Sequence, residues 1–184
     1  MSRYGVIVLS MLLSSLLAVV GCGSSGGGEQ VDLVDLLPAS GQISGWQEDT
    51  SRGEAGPEVT SDLAEATMWV DGAMDTFTAT GGWVALAQEF YVNGEITIDL
   101  HIFEMSDADK ASAVYDALAD YSGISWTDES YGGGEAKGRF GCTAPFYCGA
   151  DAQKGKYFIE TNTKPATAES EAKAFMSAVL QQIP

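Results

Sequence analysis

The chain has 184 residues, of which 45% are hydrophobic, 19% charged and 10% aromatic. This length and composition suit one ordinary folded domain and are too small for two full-sized ones. Lysine and arginine number 9 against 26 aspartates and glutamates, so the formal charge is −17. Because this charge repels phosphates and anionic headgroups, we expect no nucleic-acid partner.

The first 22 residues have the three parts of a secretory signal. Arg3 supplies a positive charge, residues 6–20 form an uncharged and mostly apolar run, and a small residue precedes Cys22. The apolar run is shorter than the roughly 17 residues that a membrane-spanning helix needs at minimum. The sequence therefore predicts an export signal rather than a permanent transmembrane anchor.

The residues Val19, Val20, Gly21 and Cys22 resemble the lipobox of bacterial lipoproteins. The resemblance implies cleavage between Gly21 and Cys22 and attachment of a diacylglycerol, with acyl chains such as palmitate, to the Cys22 thiol. Two or three acyl chains hold a protein at a membrane without a basic patch. An ordinary secretory signal that happens to contain a cysteine is the alternative.

The sequence divides into a signal peptide at residues 1–21, a lipid-anchored Gly/Ser tether at 22–30 and a single domain at 31–184. Gly rather than Asp follows Cys22, so the inner-membrane retention signal of two-membrane bacteria is absent. We expect an outer-membrane location facing the periplasm in such a bacterium, and otherwise the outer face of the cell membrane.

The clearest structural signal is a hairpin. Two β-rich runs at residues 83–92 and 95–103 flank Asn93-Gly94, the dipeptide that most favours a tight hairpin turn. In the second run, isoleucines and Leu100 alternate with Thr97, Asp99, His101 and Phe103. This alternation predicts one core face and one face that is partly exposed to water.

Helical patterns surround this hairpin. The sequence predicts a helix that starts at Asp62 and breaks near Gly72, a second that starts after Ser106, and a third capped by Thr167. Residues 124–163 read as strands broken by turns, with a clear strand at 156–161. We therefore predict an α+β fold: an antiparallel sheet containing the Asn-Gly hairpin, with about three helices packed on it.

Cys142 and Cys148 are the two cysteines that remain after lipidation, and five residues with a proline separate them. In an oxidising exported compartment two such thiols pair, and a structural disulfide is the favoured interpretation. A redox couple or a metal site is the alternative. The spacing is not C-x-x-C, and no histidine stands nearby in sequence to complete a zinc site.

His101 is the sole histidine in the sequence. No G-x-S-x-G motif accompanies it, and no calcium-loop pattern occurs among the acids. Asp107 and Asp109 read as acids at a helix start, and Asp128 and Glu129 as loop surface. We therefore predict no catalytic, cofactor-binding or metal-binding residues. A buried His101 bonded to an acid and facing a cleft would favour an enzyme, whereas an exposed one would oppose it.

Several stretches along the chain carry a family resemblance. They are LLPA at 36–39, Gly45-Trp46, the predicted helix at 62–77, Gly82-Trp83, the hairpin at 88–103, the helix at 111–118, KGKYFIET at 154–161 and the C-terminal helix. Together they resemble a family of uncharacterised exported bacterial proteins of unknown function, many of them lipoproteins. The resemblance implies a fold and an envelope location but no catalytic residues. The Cys142/Cys148 segment and the YGGG loop at 131–134 depart from the family pattern.

These observations lead to one expected function and two alternatives. We expect a lipid-anchored, non-enzymatic envelope protein that binds a protein partner or a small ligand. An envelope hydrolase or redox enzyme is the first alternative. A ligand carrier is the second, and it predicts a deep apolar pocket between helices and sheet.

Overall fold

The computed structural model describes residues 31–52, 56–70, 74–120, 123–132 and 134–184. The predictions for the signal peptide, for cleavage at Gly21, for lipidation of Cys22 and for the tether lie outside these residues. Residues 31–184 form one compact unit by their internal contacts. Eight strands occur in the described part: β1 (Gln47–Glu48), β2 (Glu58–Thr60), β3 (Trp83–Asn93), β4 (Ile96–Met105), β5 (Thr127–Asp128), β6 (Lys137–Thr143), β7 (Tyr147–Lys154) and β8 (Tyr157–Lys164).

All eight strands belong to one antiparallel sheet. The strand order is β1-β3-β4-β8-β7-β6-β5, and β2 also pairs with β3. Two local hairpins, β3–β4 and β6–β7, lie on opposite sides of β8. The last strand in the sequence is therefore the central strand of the sheet.

The described residues contain four α-helices and one 3₁₀ turn, Leu33–Leu36. The helices are α1 (Leu63–Trp69), α2 (Met74–Thr80), α3 (Ala108–Ala117) and α4 (Glu169–Leu180). The prediction of about three helices counted α1 and α2 as one; Gly72, where the break was expected, lies outside the described residues. An α+β fold with an antiparallel sheet is confirmed.

Two of the predicted helix starts agree with the structure within one residue. Asp62 is the N-cap of α1 and accepts hydrogen bonds from two backbone N–H groups, and Asp107 caps α3 by accepting one from Lys110. The prediction for Thr167 is wrong. The N-cap of α4 is Ala168, which makes no side-chain cap hydrogen bond. Local preference therefore set two helix starts, whereas the start of α4 follows its packing on the sheet.

The sheet has a buried core on each face. On one face, which we call the α4 face, α4 and the 3₁₀ turn cover Ile98, Leu100 and Ile102 of β4. The Trp46 ring lies 5.1 Å from that of Phe175 in α4, so the start and the end of the domain meet there. On the other face, which we call the α3 face, residues of α1, α2 and α3 cover strand residues including Phe103 and Phe158.

The β3–β4 hairpin differs by one residue from the predicted Asn-Gly turn. Asn93 still belongs to β3 and pairs with Ile96, so the two loop residues are Gly94 and Glu95. Gly94 has φ 63°, a conformation that glycine adopts without steric cost and that hairpin turns of this length require. Asn93 remains in the strand, where its side chain lies against Gly45.

Candidate functional site

A continuous row of polar residues crosses the α3 face of the sheet. Each member is the direct cross-strand partner of the next, so their side chains lie side by side on one face. We call this set the polar row. It comprises Glu58, Gln88, His101, Glu160, Asp151, Arg139 and Asp128, which lie on β2, β3, β4, β8, β7, β6 and β5, respectively.

Two members of the polar row, Arg139 and Asp151, form a buried ion pair. The Arg139 guanidinium donates hydrogen bonds from Nε and Nη2 to Asp151 Oδ2 at 2.8 and 2.5 Å, and both side chains are at most 5% exposed. Its third donor, Nη1, bonds the Tyr115 carbonyl at 2.7 Å. The same group lies between the rings of Tyr115 and Trp126, at 4.5 and 4.6 Å from their centroids. Arg139 is therefore fixed on all sides.

The carboxyl group of Asp151 has a second acidic neighbour. Burial and the nearby Glu160 carboxylate raise the pKa of Asp151, and Arg139 opposes that rise. Glu160 accepts a hydrogen bond from Asn162 Nδ2 at 2.8 Å. Burial and the Glu160 charge therefore favour the neutral form of Asp151, and Arg139 favours the ionised form.

His101 occupies the middle of the row, between Gln88 and Glu160. The sequence predicted a partly exposed strand face here. Thr97 and Asp99 of this face are half-buried, but the expectation is wrong for His101, which is only 8% exposed. Its Nδ1 is buried without a hydrogen-bond partner. Burial lowers the pKa of His101, and the carboxylates of Glu160 and Asp99 oppose that shift. His101 is consequently held in its neutral form.

The neighbours of His101 do not form a known hydrolytic arrangement. Its partners across the strands are Gln88 and Glu160, and its neighbours on the same face of β4 are Asp99 and Phe103. None of these four carries a hydroxyl or thiol that a histidine base could activate as a nucleophile. Asp99 is already held by Arg52 as an ion pair. His101 therefore resembles a buried structural histidine more than a catalytic base.

Two glycines make room for residues 124–126, which cross the sheet next to the polar row. Gly141 and Gly149 are cross-strand partners on the α3 face. A Cβ on Gly141 would lie 2.8 Å from the Ser125 carbonyl oxygen, and one on Gly149 would lie 2.9 Å from the Trp126 ring. The missing side chains let residues 124–126 lie flat on the strands, and this placement brings Trp126 onto Arg139.

At the same end of the sheet as the β3–β4 turn, the β6–β7 connection projects as a disulfide-closed tip. Cys142 and Cys148 are directly opposite each other and joined by a disulfide, as the sequence predicted. We call Ala144, Pro145 and Phe146, all exposed, the apolar tip. Phe146 is 67% exposed, and among the described large apolar side chains only Met68 is more exposed. The sequence contained a signal for it, an aromatic residue within an uncharged cysteine loop.

A polar cleft lies between α4 and strands β5 and β6, beside the disulfide. It encloses about 290 Å³, and its lining residues are Ser125, Thr127, Glu129, Phe140, Gly141, Cys142, Glu169 and Lys173. Lys173 Nζ lies 2.6 Å from Glu129 and 2.9 Å from Glu169, and 4.6 Å from the Phe140 ring centroid. These contacts lower the pKa of Glu129 and raise that of Lys173. This cleft is not the deep apolar pocket that a ligand carrier requires.

The predicted acids have local roles. Asp107 caps α3, Glu129 bonds Lys173, and Asp128 ends the polar row. Across the described residues, no three histidine, cysteine, aspartate or glutamate side chains are placed to hold a metal ion. In the same residues, no helix is long and apolar enough to cross a membrane.

Comparisons with known proteins identify little. No protein-family model matches the sequence, and the curated proteins yield no match. Among solved structures, the chain is similar to the extracellular domain of PknH from Mycobacterium tuberculosis. The identity is 14% and the TM-score 0.49, with 79% of this chain and 91% of that chain covered.

Proposed function

We propose that this chain is an exported, lipid-anchored protein of the bacterial cell envelope that binds a small polar ligand and catalyses no reaction. Cleavage between Gly21 and Cys22 and lipidation of Cys22 attach it to the membrane. It faces the periplasm from the outer membrane in a two-membrane bacterium, and otherwise lies on the outer face of the cell membrane. The stretches that resemble exported bacterial domains agree with this location.

The disulfide supports the export part of the proposal. Structural disulfides persist in oxidising compartments and are rare in the reducing cytosol. Cys142 and Cys148 are joined, which leaves Cys22 as the single other cysteine in the chain. The cysteine count therefore matches one lipidated thiol and one bridge.

The polar cleft is the observation that carries the binding part of the proposal. Its volume is close to the roughly 300 Å³ at which small-ligand sites begin. Hydroxyl groups of Ser125 and Thr127, the charged groups of Glu129, Glu169 and Lys173, and the ring of Phe140 offer hydrogen bonds and one flat apolar contact. A small hydrophilic molecule fits this chemistry, and an acidic protein partner or a nucleic acid does not.

Replacement of the lipid-bearing thiol tests the anchor. The Cys22→Ala protein is expected to leave the membrane fraction and to lose the mobility change that lipidation causes. The Cys142→Ala/Cys148→Ala variant is the control, since it removes the other two thiols and should stay in the membrane fraction. Unchanged fractionation and mobility of Cys22→Ala would refute lipidation.

Ligand-observed NMR tests the cleft. Saturation-transfer signals from libraries of monosaccharides, amino acids and polyamines are recorded with the wild type and with Lys173→Met. We expect at least one compound whose signal disappears in Lys173→Met and in Glu129→Gln. Lys137→Met, which removes an exposed lysine elsewhere on the surface, should leave the signal intact. If all signals survive the cleft substitutions, the ligand site is not this cleft.

A further inference from the structure

The apolar tip is an exposed apolar surface that the proposed ligand site does not use. Phe146 is 67% exposed at the end of a short loop closed by the Cys142–Cys148 disulfide. Aromatic side chains are the usual anchors of interfaces because they bury a large area at a small cost in conformational entropy. The disulfide and Pro145 hold the loop in one shape, which further reduces the ordering cost of a contact.

The chemistry around the tip fits a bilayer interface. The five residues between the cysteines carry no charge, although the chain has a formal charge of −17. Tyr147 is half-buried beside Phe146, and the exposed Lys164 ends β8 at the same end of the sheet. Aromatic rings and lysine side chains are the residues that concentrate at membrane–water interfaces.

The proposed anchor keeps the domain within reach of such a surface. The tether from Cys22 ends at Val31, where the compact unit begins. Fully extended, the nine residues 22–30 span at most roughly 30 Å. A domain confined to this distance meets the bilayer at a high effective concentration, which strengthens a contact that would be too weak in free solution.

We propose that the apolar tip inserts Phe146 into the interface of the membrane to which the chain is anchored, and thereby orients the domain on the bilayer. The inference rests on the proposed lipid anchor. Because the tip carries no acid and no cluster of bases, the contact depends on the apolar interface and not on anionic lipids. The polar cleft, which shares Cys142 with the disulfide, then opens close to the membrane surface.

Fluorescence quenching by brominated lipid tests this contact. The lipidated full chain is reconstituted into phosphatidylcholine vesicles, and Phe146→Trp is compared with the wild type to subtract the native tryptophans. The matched control is Met68→Trp on α1, since Met68 is 77% exposed and lies away from the tip. With dibrominated phosphatidylcholine, the added fluorescence of Phe146→Trp should fall about twofold or more, as for a ring at headgroup level. That of Met68→Trp should not change.

The outcomes separate the anchor from the tip. A protein that does not float with the vesicles refutes the anchor, and with it the proposed membrane location. If the protein floats and Phe146→Trp is quenched no more than Met68→Trp, the tip inference is wrong and the anchor stands. Quenching that falls as the protein density rises at constant lipid composition would overturn it too, because the tip would then contact another copy instead of lipid.

Discussion

Soluble proteins usually bury apolar side chains and expose polar ones. The polar row and the apolar tip depart from this distribution in opposite directions. The row places four polar or charged side chains inside the protein, those of Gln88, His101, Asp151 and Arg139, and the tip places an aromatic ring in solvent. Within the row, Arg139 and Asp151 satisfy each other and several further partners. Phe146 has no comparable burial. A buried ion pair that is fully partnered stabilises the fold, whereas an exposed aromatic side chain contributes little to it.

Loss of Arg139 should produce the largest effect on stability. Arg139→Met leaves Asp151 buried without its cation, so the free energy of unfolding should fall by about 3–5 kcal/mol. Urea unfolding measures the change. Lys137→Met is the control, because its pair with Asp116 is exposed and 4.0 Å apart, and it should cost less than about 1 kcal/mol. Equal losses in the two variants would mean that the row is not held by its ion pair.

Removal of the disulfide should change the apolar tip and leave the polar row intact. Cys142→Ala/Cys148→Ala releases a short loop, and the loop-entropy relation gives a loss of about 2 kcal/mol in the free energy of unfolding. The variant should also lose part of the lipid quenching of Phe146→Trp, since a loose tip must be ordered before it inserts. Unaltered quenching would mean that the contact of the tip with lipid does not depend on the rigidity of the loop.

The contribution of His101 should be visible in the pH dependence of the free energy of unfolding. Burial lowers its pKa in the folded protein, so the unfolded chain takes up the proton first as the pH falls below about 6.5, the ordinary value for histidine. On going from pH 7 to pH 5, the stability of the wild type should therefore fall relative to that of His101→Gln. Asp99, Glu160 and Arg52, which face His101, are unchanged in both proteins. Parallel curves of unfolding free energy against pH would contradict a buried neutral histidine.

Phe146→Ser should have the smallest effect on stability. A side chain that is 67% exposed contributes little to folding, so we expect a change within about 0.5 kcal/mol. Thermal unfolding of the soluble form checks this. A large loss would mean that Phe146 packs against its own chain, and the contrast between the row and the tip would then disappear.

Local features of the sequence predicted the helices and strands but not the tertiary contacts between them. Asp62 and Asp107 cap helices within one residue of the predicted starts, and the alternation in β4 correctly assigned Ile98 and Leu100 to a core face. These signals depend on side chains a few residues apart. The burial of His101 depends on helices that cover the other face, and alternation alone cannot reveal that.

The polar row as a whole could not be predicted, because one of its links joins residues that are distant in sequence. His101 lies beside Glu160 only because of the strand order, whereas Asp151 and Arg139 face each other across the β6–β7 hairpin. The disulfide was predictable, since two cysteines and a turn-forming proline are local information. The polar cleft also needed tertiary structure, because Lys173 on α4 meets Glu129 across the junction with the sheet.

The central position of β8 constrains when the domain can fold. Until residue 164 is available, the chain holds two separate hairpins with no strand between them. The α4 face closes still later, because Trp46 needs Phe175. If the chain is exported as we propose, its sheet cannot close until nearly all of it has crossed the membrane. The order of strands would then delay closure of the sheet until the chain has reached the far side.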